Sequence, residues 1–174
     1  MRISARRLAG WISVLLALLL LSPLAVQASE APQRWELRDS SGVRWGLVLF
    51  QQPDPAFPEG WRLRLLSRDP ALKLDHRRPL QIDDGMGGHW QLANCSEELV
   101  AKADADMPDQ AAQFNAEGLW PRPQAALPLQ LLIPLAGRGV PSAGAAALVL
   151  GPEPVAALHG LAPKQDPEAA KPAG

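Results

Sequence analysis

From Arg34 onward, apolar and polar side chains alternate with a period of two, and this pattern constrains the fold more than any other feature of the chain. The segments RWELRD and WRLRLLSR alternate tryptophan and leucine with mostly charged residues, and VRWGLVLF places Val43, Trp45, Leu47 and Leu49 on one face. Successive side chains of a β-strand point to opposite faces, so each segment predicts a strand with one buried face. The turn-forming stretches SSG and QQPDPAFPEG separate them. The first part of the chain therefore predicts consecutive strands joined by loops.

The rest of the chain continues this pattern with two interruptions. SEELVAK (96–102) changes period and predicts a short helix capped by Asn94 or Ser96, and PEPVAALHGL (152–161) permits a second helical turn. AAQFNAEGLWPRP (111–123) is ambiguous. Further strands are predicted at ALKLD (71–75), PLQID (79–83), HWQLA (89–93), LPLQLLIPL (127–135) and AAALVL (145–150). The whole predicts a mainly β protein, an antiparallel β-sandwich or partly open β-barrel of about seven or eight strands with one or two short helices.

The N-terminal segment has the order of a secretory signal peptide. Residues 1–28 combine a basic start, an apolar run and a helix-breaking proline, and they end in the small-x-small sequence VQA. The apolar run is shorter than the ~20 residues that a spanning helix needs, although a retained membrane anchor is the alternative. We expect cleavage before Ser29, a single β domain over residues 29–161 and a disordered tail over residues 162–174.

Net charge and cysteine content limit which partners and which disulfide bonds we expect. Without the leader, the chain keeps 14 of its 17 basic residues against 18 acidic ones, a formal charge of -4 that predicts no general affinity for nucleic acid. Cys95 is the single cysteine, so no internal disulfide can form in a compartment where disulfides are common. We interpret it as a buried, inert thiol; the alternative is an exposed thiol that pairs two chains.

The segment QIDDGMGGHWQL crowds possible metal ligands into a few positions but predicts a turn. Asp-Gly and Gly-Gly pairs supply the positive φ values of hairpin loops, and they lie here between two alternating segments. The alternative is a metal site formed by Asp83, Asp84 and His89. The hairpin explains every unusual residue of the segment, so we expect no metal and no cofactor there.

No local catalytic motif is present. The three histidines lie in separate segments and match no metal or catalytic spacing: His76, His89 and His159. The acidic segment DADMPD contains Asp104, Asp106 and Asp109. It lacks the glycine and the glutamate that an EF-hand loop needs, so these aspartates do not predict a calcium site. The chain is therefore expected not to be an enzyme.

The arginines form the most informative pattern. On strands of period two, five of them fall on the face opposite the tryptophans and leucines: Arg34, Arg38, Arg44, Arg62 and Arg64. If the strands are neighbours, the five form a basic binding patch on an otherwise acidic protein. The alternative is an ordinary solvated face with cross-strand pairs to Glu36.

Several segments resemble a known family. They are the exported start, LRDSSGVRWGLVLFQ, RLRLLSRDP, LDHRRPLQI, LPLQLLIPL and ALVLGPEPVAAL. Together they resemble an uncharacterised family of cyanobacterial exported proteins, a domain of unknown function. The resemblance brings no catalytic residues, and it implies a location in the periplasm or the thylakoid lumen.

The sequence thus predicts a non-catalytic binding or accessory module. Its arginine-rich sheet face is expected to associate with an anionic membrane surface or an acidic membrane-associated protein, because guanidinium groups pair with carboxylates and phosphates. Two alternatives remain: a hydrolase or metal-dependent enzyme that uses dispersed histidines and aspartates, and a carrier of a small apolar ligand in the mouth of a barrel.

Overall fold

The computed structural model describes residues 31–100, 106–137 and 144–161. The expected leader, the expected tail and Asp104 lie outside the described residues. The described part contains eight strands and one α-helix: β1 (Gln33–Arg38), β2 (Arg44–Gln51), β3 (Trp61–Ser67), β4 (Leu80–Asp83), β5 (His89–Leu92), β6 (Ala111–Asn115), β7 (Leu129–Pro134), β8 (Ala145–Leu150) and α1 (Pro152–His159). No helix among these residues has the length and apolar character needed to cross a membrane.

The strands form two antiparallel sheets of four strands each. One has the order β1-β2-β3-β6 and the other β5-β4-β7-β8. The inward side chains of both sheets pack into one core, in which Leu47 and Leu63 of the first sheet and Leu131 and Leu148 of the second are completely buried. The predicted mainly β architecture is confirmed, as an open sandwich.

The two sheets are linked along one side of the sandwich. After β5 the chain crosses to the edge of β6, where Asn94 forms a β-bridge with Phe114. The backbone N–H of Cys95 donates to the carbonyl of Gln113 at 2.8 Å. At the other side, β1 and β8 are the last strands of their sheets.

One predicted strand is wrong, and the ambiguous segment contains a strand that was not predicted. Residues 71–75 form only a single bridge, between Leu74 and Leu135, because turns interrupt the chain on both sides. One turn is closed by the Leu72 N–H donating to the Asp69 carbonyl, and Asp75 begins the other by accepting from the N–H of Arg77. The strand that the sequence did not predict is β6, which lies within the ambiguous residues 111–123.

The helices differ in length from their predictions. The first is a short 3-10 helix over Ser96–Leu99, with Glu97 and Glu98 in its first turn as expected. Neither predicted side chain caps it from the N-cap position, which Cys95 occupies without a capping hydrogen bond; Asn94 instead accepts from the N–H of Ser96. The second helix, α1, is a full α-helix of eight residues rather than a single turn.

The predicted β-hairpin is confirmed. Ile82 lies opposite Trp90 in the β4–β5 pairing, and the loop between these strands has Gly85 at φ 69° and Gly87 at φ 104°. Asp84 stabilises the loop by accepting hydrogen bonds of 2.8 Å each through Oδ1 from the N–H groups of Met86 and Gly88.

Indole rings supply part of the core. Trp45, Trp61 and Trp90 are buried, and Trp35 packs against the core from a half-buried position. Trp120 is instead 62% exposed, because it lies in the loop after β6 and not on a strand.

Candidate anion-binding face

The predicted arginines share one side of the first sheet. Residues that lie directly opposite each other in antiparallel strands point to the same face. Arg38 lies opposite Arg44, Val48 lies between Arg34 and Arg64 in another row, and Arg62 lies opposite Phe50 in a third. All these residues have the opposite phase to the β2 side chains that lie in the core, which are Trp45, Leu47 and Leu49. We call this outer surface the arginine face; it consists of Arg34, Arg38, Arg44, Arg62, Arg64 and Arg68.

Arg62 is not available to an external partner, which corrects its predicted place in an exposed patch. Its side chain is only 2% exposed and forms an ion pair with Glu98, in which Nε lies 2.7 Å from Oε2. Nη2 donates to Oε1 of Glu98 at 2.9 Å and to the carbonyl of Pro58 at 2.6 Å. The 3-10 helix that carries Glu98 packs beside β6, so it covers this end of the face. Arg62 therefore stabilises this end of the arginine face, and its guanidinium group is not exposed to an external partner.

Both members of the buried pair are held in their charged forms. Burial lowers the pKa of Arg62, but the hydrogen bond and the charge of Glu98 outweigh burial and leave that pKa above its ordinary value. Burial raises the pKa of Glu98, yet the hydrogen bond and charge of Arg62, together with hydrogen bonds from Gln52 and Gln113, leave it below its ordinary value. The pair thus stays ionised over a wider pH range than either group would in water.

Arg64 is held in place but keeps part of its surface exposed. Its Nε and Nη2 both donate to Oε1 of Gln113, at 2.9 and 2.7 Å, and its Cζ lies 4.9 Å from the ring centroid of Phe50. Burial and the nearby charge of Arg34 lower the pKa of Arg64. Its partner is a neutral amide, so the guanidinium charge is not neutralised within this cluster. Arg64 is a fixed cation beside Arg34.

Three further arginines of the face are exposed and have no carboxylate partner in the described chain: Arg34, Arg38 and Arg44. Arg38 donates from Nη1 to the carbonyl of Gly42 at 3.2 Å. Arg68 does pair with Glu36, at 2.7 Å between Nη2 and Oε1, but this pair is about half exposed and contributes at most about 1 kcal/mol. Exposed pairs of this kind exchange readily with an external anion.

Of the depressions between these side chains, one of about 370 Å³ is lined by Arg38, Arg44 and Arg68 together with Asp69. Two others contain no aspartate. One, of about 650 Å³, is lined by Leu37 and by the charged residues Glu36, Arg38, Arg44 and Arg68. The other, of about 350 Å³, lies over Gly46 and Leu66 and includes Arg34 and Arg64. Gly46 leaves room here because it has no side chain in the row between Glu36 and Leu66. Both depressions have the size and charge to hold carboxylate or phosphate groups.

The family follows from the comparison of the chain with family models. Residues 27–144 match the family described as a protein of unknown function, DUF3122, and this match covers more than half of the chain. The chain belongs to the DUF3122 family. The resemblance seen in the sequence is confirmed to that extent. No curated protein and no solved structure matches the chain. The arginine face lies entirely within the matched part of this DUF3122 protein.

The charges of the arginine face do not balance. Six arginines share it with Glu36 and Glu98, and Asp69 lies beside Arg38, Arg44 and Arg68, so six positive and three negative charges leave three positive charges in excess. Guanidinium groups that converge on one surface repel one another, and this repulsion is relieved when an anion binds between them. The arrangement of the DUF3122 protein can therefore bind an anionic group, with forked donors suited to carboxylate.

The histidines of the alternative, enzymatic hypothesis each contact a different part of the protein. His76 Nε2 lies 2.9 Å from the carbonyl of Ala111, and His159 Nδ1 lies 2.8 Å from that of Pro123. His89 lies beside Asp83, with Nδ1 2.8 Å from Oδ2. Within residues 31–100, 106–137 and 144–161, no three histidine, cysteine, aspartate or glutamate side chains lie close enough to hold a metal ion.

Cys95 is buried, as predicted. Burial and the neighbouring charge of Glu98 raise the pKa of its thiol to about 12. The thiolate is the reactive form of cysteine, so a thiol with this pKa is inert at neutral pH.

Sequence reasoning missed four residues of the site: Phe50, Arg68, Glu98 and Gln113. Arg68 has the same parity as Arg62 and Arg64, so extending the period of two past Leu66 would have found it. Glu98 and Gln113 lie on separate segments, and only the three-dimensional fold brings them to Arg62 and Arg64.

Proposed function

We propose that this DUF3122 protein is a non-catalytic accessory domain that binds an acidic segment of a membrane-associated protein through its arginine face. One observation carries the proposal: Arg34, Arg38, Arg44 and Arg64 bring four guanidinium groups without carboxylate partners to one face of a sheet. Strands hold their side chains at fixed spacings, and forked donors at fixed spacings suit discrete carboxylates.

An acidic protein fits this face better than an anionic lipid surface. Amphipathic helices that bind lipid surfaces insert apolar side chains beside their basic ones. The large exposed apolar residues in the described ranges are Met86, Trp120 and Val149, and none belongs to β1, β2, β3 or β6. In addition, Glu36 lies among the arginines. Its carboxylate would repel a uniformly negative lipid surface, whereas a protein segment can place a neutral residue opposite it.

The proposal includes a location outside the cytoplasm. The basic start, apolar run and VQA sequence of residues 1–28 support export through a signal peptide. The resemblance of the chain to exported cyanobacterial proteins supports a location in the periplasm or the thylakoid lumen. We infer that the functional unit is the domain of residues 29–161, without cofactor or metal, and that it does not bind nucleic acid.

Co-purification from native membranes tests this function. Tagged wild-type protein is incubated with native membranes, crosslinked and recovered, beside a variant with Arg34→Gln, Arg38→Gln and Arg44→Gln. Arg77→Gln is the control, since Arg77 is exposed but lies in the loop before β4. We expect an acidic membrane-associated protein to be crosslinked to the wild type and to the control, and to be lost with the triple variant.

Treatment of the membranes with a protease separates the two kinds of partner. If the partner is a protein, treated membranes no longer retain the wild type, and vesicles of phosphatidylglycerol retain it no better than vesicles of phosphatidylcholine. Full retention on treated membranes or selective retention on phosphatidylglycerol would identify a lipid surface and contradict the proposal. Equal recovery of the partner with the triple variant would remove the arginine face from the function.

A further inference from the structure

The outer edge of β1, part of which lies close to β8 of the other sheet, is next to the exposed arginines. Among the described residues, β1 pairs only with β2, so its other side presents unpaired backbone groups. In an antiparallel pair, residues alternate between those whose N–H and C=O point to the neighbouring strand and those whose groups point away. Which residues of β1 point away decides what a ligand on this edge would contact.

Two hydrogen bonds fix this alternation. At the β1–β2 turn, the N–H of Asp39 donates to the carbonyl of Val43 at 3.0 Å, so residues of odd number in β1 direct their backbone groups toward β2. On the other side of β2, the N–H of Arg68 donates to the carbonyl of Arg44 at 2.9 Å, so residues of even number in β2 bond to β3. The backbone groups that point away from the sheet at β1 therefore belong to Arg34, Glu36 and Arg38.

The side chains of β1 offer two different surfaces to a strand at this edge. Arg34, Glu36 and Arg38 lie on the arginine face and are exposed. Trp35 and Leu37 point to the other face, where they pack against the core but stay only half buried. An added strand would therefore meet charged side chains in one phase and apolar side chains in the other.

We propose that the partner binds as an extended segment that adds antiparallel to β1 as a fifth strand of this sheet. Its residues opposite Arg34 and Arg38 are acidic, its residue opposite Glu36 is neutral, and the two residues between them are apolar and extend the core over Trp35 and Leu37. This inference rests on the proposed function and names the form of its ligand. Strand addition of this kind takes its affinity from backbone hydrogen bonds and its specificity from alternate side chains.

A second copy of the chain meets a conflict of like charges at this edge in one register. In an antiparallel pairing of two β1 strands centred on Glu36, each Arg34 would lie opposite an Arg38, and the two glutamates would face each other. Like charges directly opposite each other on a sheet are destabilising. That register is therefore disfavoured, whereas a register centred on Trp35 would place each Arg34 opposite a Glu36. An acidic segment can face both Arg34 and Arg38, which a second β1 strand cannot do in either register.

The test uses a capped peptide of the sequence Ser-Glu-Val-Thr-Val-Glu-Ser and the protein variants Glu36→Pro and Glu36→Ala. Proline removes the outward N–H of residue 36, and proline is tolerated on an edge strand where that N–H faces solvent. Alanine removes the same charge but keeps the N–H. We expect Glu36→Ala to bind the peptide at least as tightly as the wild type and Glu36→Pro to bind about tenfold more weakly.

A second pair of ligands keeps the test independent of how proline affects the fold. Methylation of the threonine amide blocks a hydrogen bond to Glu36, whereas methylation of a valine amide lies on the side away from β1. We expect only the threonine-methylated peptide to lose affinity for the wild type. In hydrogen exchange, the peptide should protect the amides of Arg34, Glu36 and Arg38, while those of Trp35 and Leu37 are already bonded to β2.

The outcomes distinguish this inference from the proposed function. If both methylated peptides bind equally, or if Glu36→Pro binds as tightly as Glu36→Ala, strand addition is overturned. In that case a loss of binding in an Arg34→Gln, Arg38→Gln variant would still support the arginine face. If that arginine variant binds the peptide and the native membranes as the wild type does, the proposed function itself fails.

Discussion

Arg62 and Glu98 form an ion pair that is almost completely removed from water. The two side chains are 2% and 4% exposed, and Arg62 Nε lies 2.7 Å from Glu98 Oε2. Glu98 also accepts a hydrogen bond of 2.6 Å from Nε2 of Gln113, whose Oε1 holds Arg64. The buried pair is thus linked through one glutamine to Arg64 of the arginine face. Loss of the pair would disturb both the fold and the position of Arg64.

Replacement of Glu98 by alanine should destabilise the protein strongly. The variant leaves the Arg62 charge buried without a counter-charge, which typically costs about 3–5 kcal/mol. We expect the free energy of unfolding in urea to fall by about that amount. The neighbouring Glu97→Ala is the control, because Glu97 is exposed and should change stability by less than about 0.5 kcal/mol. Equal losses in the two variants would show that the buried pair is not the cause.

The contribution of Glu98 should disappear in acid. Its pKa is lower in the folded protein than the ordinary value of 4.5, so the ionised group stabilises the fold at neutral pH. That stabilisation is lost as pH falls below 4.5 and through the lower pKa of the folded state. The difference in unfolding free energy between the wild type and Glu98→Gln should therefore be largest near neutral pH and should narrow in this acidic range. A difference that stays constant down to the acid transition would contradict the lowered pKa of Glu98.

The Cys95 thiol should be unreactive in the folded protein. It is buried and its pKa is raised to about 12, so almost no thiolate is present at pH 8. We expect a chromogenic disulfide reagent to label the native protein very slowly and the urea-unfolded protein at the rate of a free cysteine. Rapid labelling without denaturant, or a disulfide-linked dimer on a non-reducing gel, would restore the alternative that Cys95 pairs two chains.

The hairpin loop offers a matched pair of glycine substitutions. A methyl group at Gly85 meets nothing within 4 Å. Gly85→Ala should therefore lower the free energy of unfolding only by the strain of a positive φ, about 1–2 kcal/mol. A methyl group at Gly88 would lie 2.6 Å from Cη2 of Trp90 and also too close to the Asp84 carboxylate. Gly88→Ala should therefore lower the thermal midpoint more than Gly85→Ala does. The reverse order would argue against the described packing of Trp90 on this loop.

The phase of side chains could be predicted from the sequence because it depends only on the backbone. A strand alternates its side chains wherever it lies, so the common face of Arg34, Arg44 and Arg64 follows from the period of two. Burial could not be predicted in the same way. Arg62 has the same phase as Arg64 but is covered by the segment that carries Glu98, and nothing local to β3 signals that contact.

Strand boundaries show the same division between local and distant causes. Residues 145–150 were predicted with the limits that β8 has, because an apolar run lies there next to a clear break. Residues 71–75 alternate as a strand should, but turns anchored by Asp69 and Asp75 leave one bridge. Burial does not alternate along β6, since Gln113 is buried as well as Ala112 and Phe114, and Gln113 hydrogen-bonds to Arg64 and Glu98. Its partners lie far away in sequence.

The most direct test of the central claim is the salt dependence of retention on native membranes by the wild type and two triple variants of Arg34, Arg38 and Arg44. The glutamine variant removes the charges, and the lysine variant keeps the charges without the forked donors. The Debye length, over which salt screens charges, shortens from ~10 Å at 0.1 M salt to ~3 Å at 1 M. We predict that wild-type retention falls steeply over this range, that the lysine variant is retained less than the wild type at every salt concentration, and that the glutamine variant is not retained. Equal retention of all three proteins, or wild-type retention that does not change with salt, would contradict a binding role for the arginine face.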